Sequence, residues 1–267
     1  MTSPDPAPHD KPSSFDDWLQ AFKEQAAFFT GFRPGVGEPR WKLADVLPVL
    51  PFLGAAIGLA AGLVFTIANS VTGVGWLAAV LAIGAAVLIT RALHEDGLAD
   101  TADGLGPHGI DVDRRLEIMR DSRNGTFGML ALALSVLVKA AALGGMSSAS
   151  AVVVLIGAHC VSRAVLAYPI LAFGPARGDG LGARTGKPTD NDVWLTLGLA
   201  MAIAFLLLLA KGFFVALLAP ILAAAAAWGA AQWINGRIGG YTGDTLGAVQ
   251  QVAEIVFLVV AATLIAR

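Results

Sequence analysis

Apolar residues fill long stretches of this chain, and the polar residues collect between them. A helix needs roughly 20 apolar residues to cross the hydrocarbon core of a bilayer. Stretches near 43–67, 71–93, 129–146, 149–173, 193–210, 212–231 and 248–266 meet that need. The pattern predicts an all-α, polytopic membrane helix bundle of about seven transmembrane helices. Ahead of the first span, Phe15, Trp18, Leu19, Phe22, Ala26 and Phe29 recur at helical spacing. Ser14 with Asp17 has the form of a capping box, and Lys23 and Glu24 take the opposite face. These residues predict an N-terminal interfacial helix, lying on the membrane or docked on protein.

Residues 1–14 are rich in Pro, Asp and Ser and contain no apolar run after a basic start. They read as a disordered tail rather than a secretory signal peptide. Residues 15–267 then form a single integral membrane domain. Within the first span, Gly54, Gly58 and Gly62 make a doubled small-xxx-small pattern that lets a neighbouring helix approach closely. No internal repeat is visible, which argues against transporters built from inverted repeats.

Composition agrees with lipid exposure. Of 267 residues, 56% are hydrophobic and 14% charged, against about 25% charged in an ordinary soluble domain. The formal net charge of -2 says little about partners. The single cysteine, Cys160, lies in an apolar run and can form no intramolecular disulfide. Charge distribution says more. With the N-terminus in the cytoplasm, one side collects Lys11, Lys23, Arg33, Arg40 and Lys42, then Arg114, Arg115, Arg120 and Arg123, then Arg177, Arg184 and Lys187, then Arg237. The other side receives only Lys211 and Arg267, and no acid. This positive-inside bias places any charge-dependent chemistry on the cytoplasmic face.

Three segments carry candidate chemistry. In RALHEDGLADTADGLG, Asp96, Asp100 and Asp103 stand at i, i+4 and i+7, on one face of a helix. Three clustered carboxylates repel one another unless a cation neutralises them, and hard oxygen ligands suit Mg²⁺, Mn²⁺ or Ca²⁺. RRLEIMRDSRNGTFG brings Arg114, Arg115, Arg120 and Arg123 into the same loop, alongside Asp121. Arginine suits bidentate phosphate contact, although some of these charges simply set topology. Acid for metal and base for phosphate is the pairing phosphoryl transfer requires. GGYTGDTLGAVQQVAE carries Thr242 and Asp244 just before the last span and Glu254 inside it. An intramembrane acid is costly and points to function. Lys139 and Arg163 are also intramembrane and either supply counter-charge or pair structurally. His159 reads as a packed polar residue. GARTGKPTD imitates a P-loop, but Leu181 replaces the needed glycine and Pro188 the needed Ser or Thr.

In this order, HEDGLADTADGLG, RRLEIMRDSRNGTFG and GGYTGDTLGAVQQVAE resemble the cobalamin synthase family, also called adenosylcobinamide-GDP ribazoletransferases. The resemblance covers roughly residues 26 to 267. Glu95 departs from it, standing where the family pattern has an apolar residue. The resemblance implies a Mg²⁺-dependent enzyme of the bacterial inner membrane, with its site facing the cytoplasm. It implies transfer of the cobinamide phosphate of adenosylcobinamide-GDP to α-ribazole or its 5′-phosphate, with GMP released. Expected catalytic residues are His94, Asp96, Asp100, Asp103 and Asp244, with metal on Asp96, Asp100 and Asp103. Expected binding residues are Arg114, Arg115, Arg120, Asp121, Arg123, Thr242 and Glu254. The substrates and the bilayer are the expected partners, nucleic acid is not, and a homo-oligomer is compatible with the reading.

Two alternatives remain at this level. CDP-alcohol phosphotransferases also cluster aspartates on membrane helices, but only the opening of their pattern matches Asp100 and Asp103-Gly104. A cation-coupled transporter would use Glu254, Lys139 and Arg163 as a pathway. It would leave the acidic and basic loop motifs without a task.

Overall fold

A computed structural model of the chain describes residues 11–32, 37–121, 123 and 125–265. Of the segment read as a tail, residues 1–10 lie outside the described residues, as do Arg33 and Arg267 of the charge pattern. Lys11 is described and pairs with Asp192.

Among the described residues every regular element is a helix, apart from one isolated bridge between Pro175 and Tyr241. Helix α1 spans Phe15–Thr30, and 3-10 turns over Leu43–Val49 lead into α2, Leu50–Thr72. Then come α3 (Gly75–Thr90), α4 (Leu93–Leu105), α5 (Val112–Ile118) and α6 (Thr126–Gly144). The order continues with α7 (Ser148–Ala164), α8 (Ala167–Ala172), α9 (Gly180–Arg184) and α10 (Asp190–Leu209). It ends with α11 (Phe213–Ile238) and α12 (Gly243–Ile265).

Six segments among the described residues are long and apolar enough to cross a membrane: Leu43–Thr72, Thr126–Gly144, Ser148–Ala172, Asp190–Leu209, Phe213–Ile238 and Gly243–Ile265. Helix α3 is the seventh apolar helix. Its 16 residues span roughly 24 Å. The helix pattern is therefore that of a polytopic bundle, with one difference. The apolar run from 71 does not continue smoothly into the acidic segment: α4 turns away from α3 by 90°.

The bend has a local cause. Arg91 and Ala92 both adopt left-handed backbone, with φ of 54° and 57°, a region that disfavours residues with a Cβ. Arg91 N–H donates to Leu88 O and Ala92 N–H to Val87 O, the paired bonds of a Schellman closure. Ala92 then becomes the N-cap of α4. Gly31, which ends α1, leaves room for the Arg91 side chain, since a Cβ there would overlap it. Two consecutive strained residues are therefore held by the end of one helix and braced by another.

Helix α1 begins with the capping box of Ser14 and Asp17. It buries Ala21, Ala27 and Phe29 but exposes Phe15 and Leu19. One face thus docks on protein while apolar residues remain outside. Glu24 is buried and accepts the Arg40 backbone N–H at 3.0 Å, so it does not occupy a polar outer face.

The most extensive helix–helix interface is between α2 and α7. The glycine pattern makes it. A Cβ added at Gly58 would stand 2.7 Å from Ile156 Cα, and one at Gly62 2.9 Å from Val152 Cα. Backbones this close gain dispersion contacts that a larger residue would forbid.

Candidate active site

Helix α4 presents its aspartates as the spacing requires, at graded depth: Asp96 is exposed, Asp100 half-buried and Asp103 buried. The opposite face packs. Gly97 lies against the Asp244 backbone, where a Cβ would stand 3.1 Å from Asp244 Cα. Gly247 lies against His94 and Gly97 in the same way. These two glycines bring α4 and the start of α12 together, and so bring Asp244 to the acidic helix from far along the chain.

The result is an excess of negative charge. Burial, followed by the charges of Asp96, Asp244 and Asp103, pushes the Asp100 carboxyl up to about 7. Like charges gathered at a partly desolvated site disfavour ionisation. Arg177 offsets part of this charge, with its guanidinium 2.6 Å from Asp244 Oδ2. Thr242 begins α12: its hydroxyl accepts the Thr245 N–H at 3.2 Å and donates to Asp244 at 3.2 Å.

Asp103 is engaged differently. Its carboxylate accepts the backbone N–H of Gly125 at 2.7 Å and that of Gly128 at 2.9 Å. Those groups belong to the start of α6, where unpaired N–H donors and the helix dipole favour an anion. About half of the acceptor capacity of Asp103 is thereby occupied. Among the described residues, no three Asp, Glu, His or Cys side chains converge closely enough to hold an ion alone. Mg²⁺ seldom asks for that, taking one or two carboxylates together with water and substrate phosphate. The open hard-oxygen donors of Asp96 and Asp100 fit such an ion, with Asp244 beside them but paired to Arg177.

The basic segment is less free than its composition suggests. Arg115 is buried and donates to the carbonyls of Gly104, Leu105 and Pro107 at 3.1–3.3 Å, closing the C-terminal end of α4. Its guanidinium is thus placed on helix carbonyls rather than in the site. Arg114 pairs with Glu117 at 2.6 Å and Arg123 with Asp121 at 2.6 Å. The Arg123 hydrogen bonds hold the Asp121 carboxyl down to about 2. Arg120 reaches Asp179 at 2.6 Å, in the same loop as Arg177.

Two further candidates lie apart from the acidic face. His94 is buried on the other side of α4, its ring stacked on Phe29 at 5.7 Å. Neither ring nitrogen has a hydrogen-bond partner among the described residues, and burial holds the imidazole well below its ordinary range. Glu254 sits inside the bundle, 2.7 Å from Lys139 and 2.9 Å from Arg163. Gln250 donates to it at 2.6 Å and His159 lies 3.3 Å away. The network continues through Gln251, which accepts from Lys139 at 2.7 Å and donates to Glu95 at 2.9 Å. The substituted acid Glu95 therefore belongs to the interior pairing and not to the acidic face.

In the sequence Arg177 is one of the charges of the positive-inside pattern. No local pattern marks it, because its partner is 67 residues away.

The model of the cobalamin-5-phosphate synthase family matches residues 21–262. A protein of Bradyrhizobium diazoefficiens is 43% identical over 241 residues, covering 89% of this chain and 91% of its own. One of Allorhizobium ampelinum is 43% identical over 213 residues, covering 78% and 82%. One of Xanthobacter autotrophicus is 44% identical over 219 residues, covering 78% and 80%. All three are named adenosylcobinamide-GDP ribazoletransferase. No solved structure matches the chain.

Proposed function

The chain belongs to the cobalamin-5-phosphate synthase family, and on that premise we propose that it is an adenosylcobinamide-GDP ribazoletransferase. It joins the cobinamide phosphate of adenosylcobinamide-GDP to α-ribazole or its 5′-phosphate in the late assembly of the vitamin B12 nucleotide loop. The observation that carries this reading is the packing of the start of α12, with Asp244 and its partner Arg177, against α4, the helix that bears Asp96 and Asp100.

In the reaction, a ribose hydroxyl oxygen attacks the phosphorus esterified to cobinamide. The new O–P bond replaces the bond to the bridging oxygen, which leaves on GMP. The hydroxyl proton passes to a carboxylate of the acidic face, since His94 points away from it. One or two carboxylates of the acidic group formed by Asp96, Asp100 and Asp244 would hold Mg²⁺ together with water and substrate phosphate, and the ion when bound supplies charge neutralisation for the pyrophosphate. Asp103 fixes α4 against α6, Arg115 closes α4, and both keep the acidic face in register. Arg120 and Arg177 lie where phosphate oxygens can be met.

The reading further places the protein in the bacterial inner membrane with the acidic end in the cytoplasm, as the Lys and Arg pattern supports. An active periplasmic reporter fused after Arg267 is expected. Activity of a cytoplasmic reporter there instead would reverse the orientation. The transporter reading loses support because the interior charges are paired with one another.

Detergent-purified protein, given adenosylcobinamide-GDP, α-ribazole and Mg²⁺ without any gradient, should release GMP. Asp100→Asn should reduce that release by about a hundredfold or more while the protein remains folded. Wild-type protein that releases no GMP, or a fully active Asp100→Asn, would sink the assignment.

A further inference from the structure

We propose that Arg177 is a phosphate-binding residue held in reserve by Asp244, and that this exchange links phosphate binding to cation binding at the acidic site. The inference deepens the functional reading above and rests on it.

The position of Arg177 is built. Ala176 N–H donates to Tyr241 O at 2.8 Å, and Tyr241 N–H donates to Gly174 O at 3.1 Å. The close approach requires Gly240, where a Cβ would stand 2.8 Å from Ala176 N. Tyr241 is itself buried, with its hydroxyl 2.6 Å from Thr185 Oγ1. The backbone one residue before Arg177 is therefore pinned to the residues that start α12. The guanidinium follows the same direction, its side chain 14% exposed, toward Asp244.

Chemistry separates it from the other arginines. Arg115 is committed to the carbonyls of Gly104 and Leu105 in α4 and of Pro107 just beyond it. Arg114 and Arg123 face acids of their own surface segment. Arg177 alone among these is both largely enclosed and aimed into the acidic group. A single hydrogen bond joins it to Asp244, out of five donors that guanidinium carries. Asp244 is 30% exposed, and pairs with that much solvent contact are weak enough to exchange. A pyrophosphate offers several oxygens to the same planar fork, a better match than one carboxylate oxygen.

The exchange has a consequence for Asp244. While Arg177 holds it, its carboxylate is neutralised and a poor cation ligand. Once phosphate takes the guanidinium, the Asp244 carboxylate loses its counter-charge and is free to ligate a cation beside Asp96 and Asp100. Phosphate and divalent cation then favour each other, and linkage makes the effect reciprocal.

The test uses detergent-purified full-length protein with Mn²⁺ and GDP as probes. Mn²⁺ binding is followed by electron paramagnetic resonance without GDP, and GDP binding by calorimetry at saturating Mn²⁺. Arg177→Gln should bind Mn²⁺ about threefold to tenfold more tightly. It should bind GDP about tenfold to a hundredfold more weakly. Arg177→Lys keeps the charge without the fork, so Mn²⁺ affinity should stay near wild type while GDP affinity falls. Opposite shifts in Arg177→Gln support the exchange. Shifts of the same sign, no shift, or wild-type GDP affinity in Arg177→Lys would overturn it. Wild-type protein that binds neither probe would overturn the active-site reading along with it.

Discussion

The carboxylate of Asp103 crosses from α4 to accept the backbone N–H of Gly125 at 2.7 Å, and it takes the N–H of Gly128 as well. One aspartate of the acidic face is thus a structural tie, while Asp96 and Asp100 remain open. Substitution should separate the two roles. Asp103→Asn puts an amide donor where two backbone donors point, and should destabilise the protein by about 1–3 kcal/mol. Asp100→Asn removes one of several crowded charges and should leave the melting temperature unchanged or raise it. Thermal unfolding in detergent distinguishes them; equal losses for both would refute the division.

The bend at Arg91 and Ala92 should respond to backbone chemistry alone. Ala92→Gly relieves left-handed strain and should be neutral or stabilising by up to about 1 kcal/mol. Ala92→Val, with its branched Cβ, should cost about 1–2 kcal/mol and lower GMP release by tilting the acidic face. A neutral Ala92→Val would show that the bend is not under strain.

Gly58 lies against the α7 backbone with no space for a side chain. Gly58→Leu should separate α2 from α7 and lower the yield of folded protein several-fold, whereas Gly84→Leu should not, since a Cβ there meets nothing within 4 Å. Size-exclusion profiles of the two variants make the comparison. Monodisperse, thermally unchanged Gly58→Leu would contradict the packing.

Glu254 neutralises Lys139 and Arg163 within the bundle. Glu254→Gln leaves Lys139 and Arg163 buried without their shared acid, Glu95 standing 4.0 Å from Lys139, and should destabilise by about 3–5 kcal/mol. Pairing it with Lys139→Met removes one orphaned charge and should recover part of that loss. Thermal unfolding of the two single variants and the double variant tests this; additive losses would mean the residues do not interact.

Much of the architecture is legible from pattern. Apolar length locates the spans because lipid leaves a helix few alternatives. The i, i+4, i+7 aspartates declare a shared face as soon as their segment is helical. Gly54, Gly58 and Gly62 announce a close neighbour, though not that it is α7. Residues whose meaning lies in a distant partner stay hidden. Arg115 looks like its neighbours until the carbonyls of α4 are placed beside it. Asp244 reaches Asp100 only because Gly97 and Gly247 let two helices touch. The bend is equally silent, since Arg and Ala carry no left-handed preference and neither Gly nor Asn marks the break.

The interior pairing also imposes an order in time. Lys139 and Arg163 precede Glu254 by 115 and 91 residues. At about 5–20 residues per second, their helices leave the ribosome roughly 5–20 s before α12 does. During that interval Glu95, made earlier and 4.0 Å from Lys139 in the finished bundle, is the acidic member of the network already synthesised. The last helix is therefore the one whose arrival makes the membrane interior electrically neutral. A nascent chain stopped short of it carries an unmatched positive charge among its interior helices.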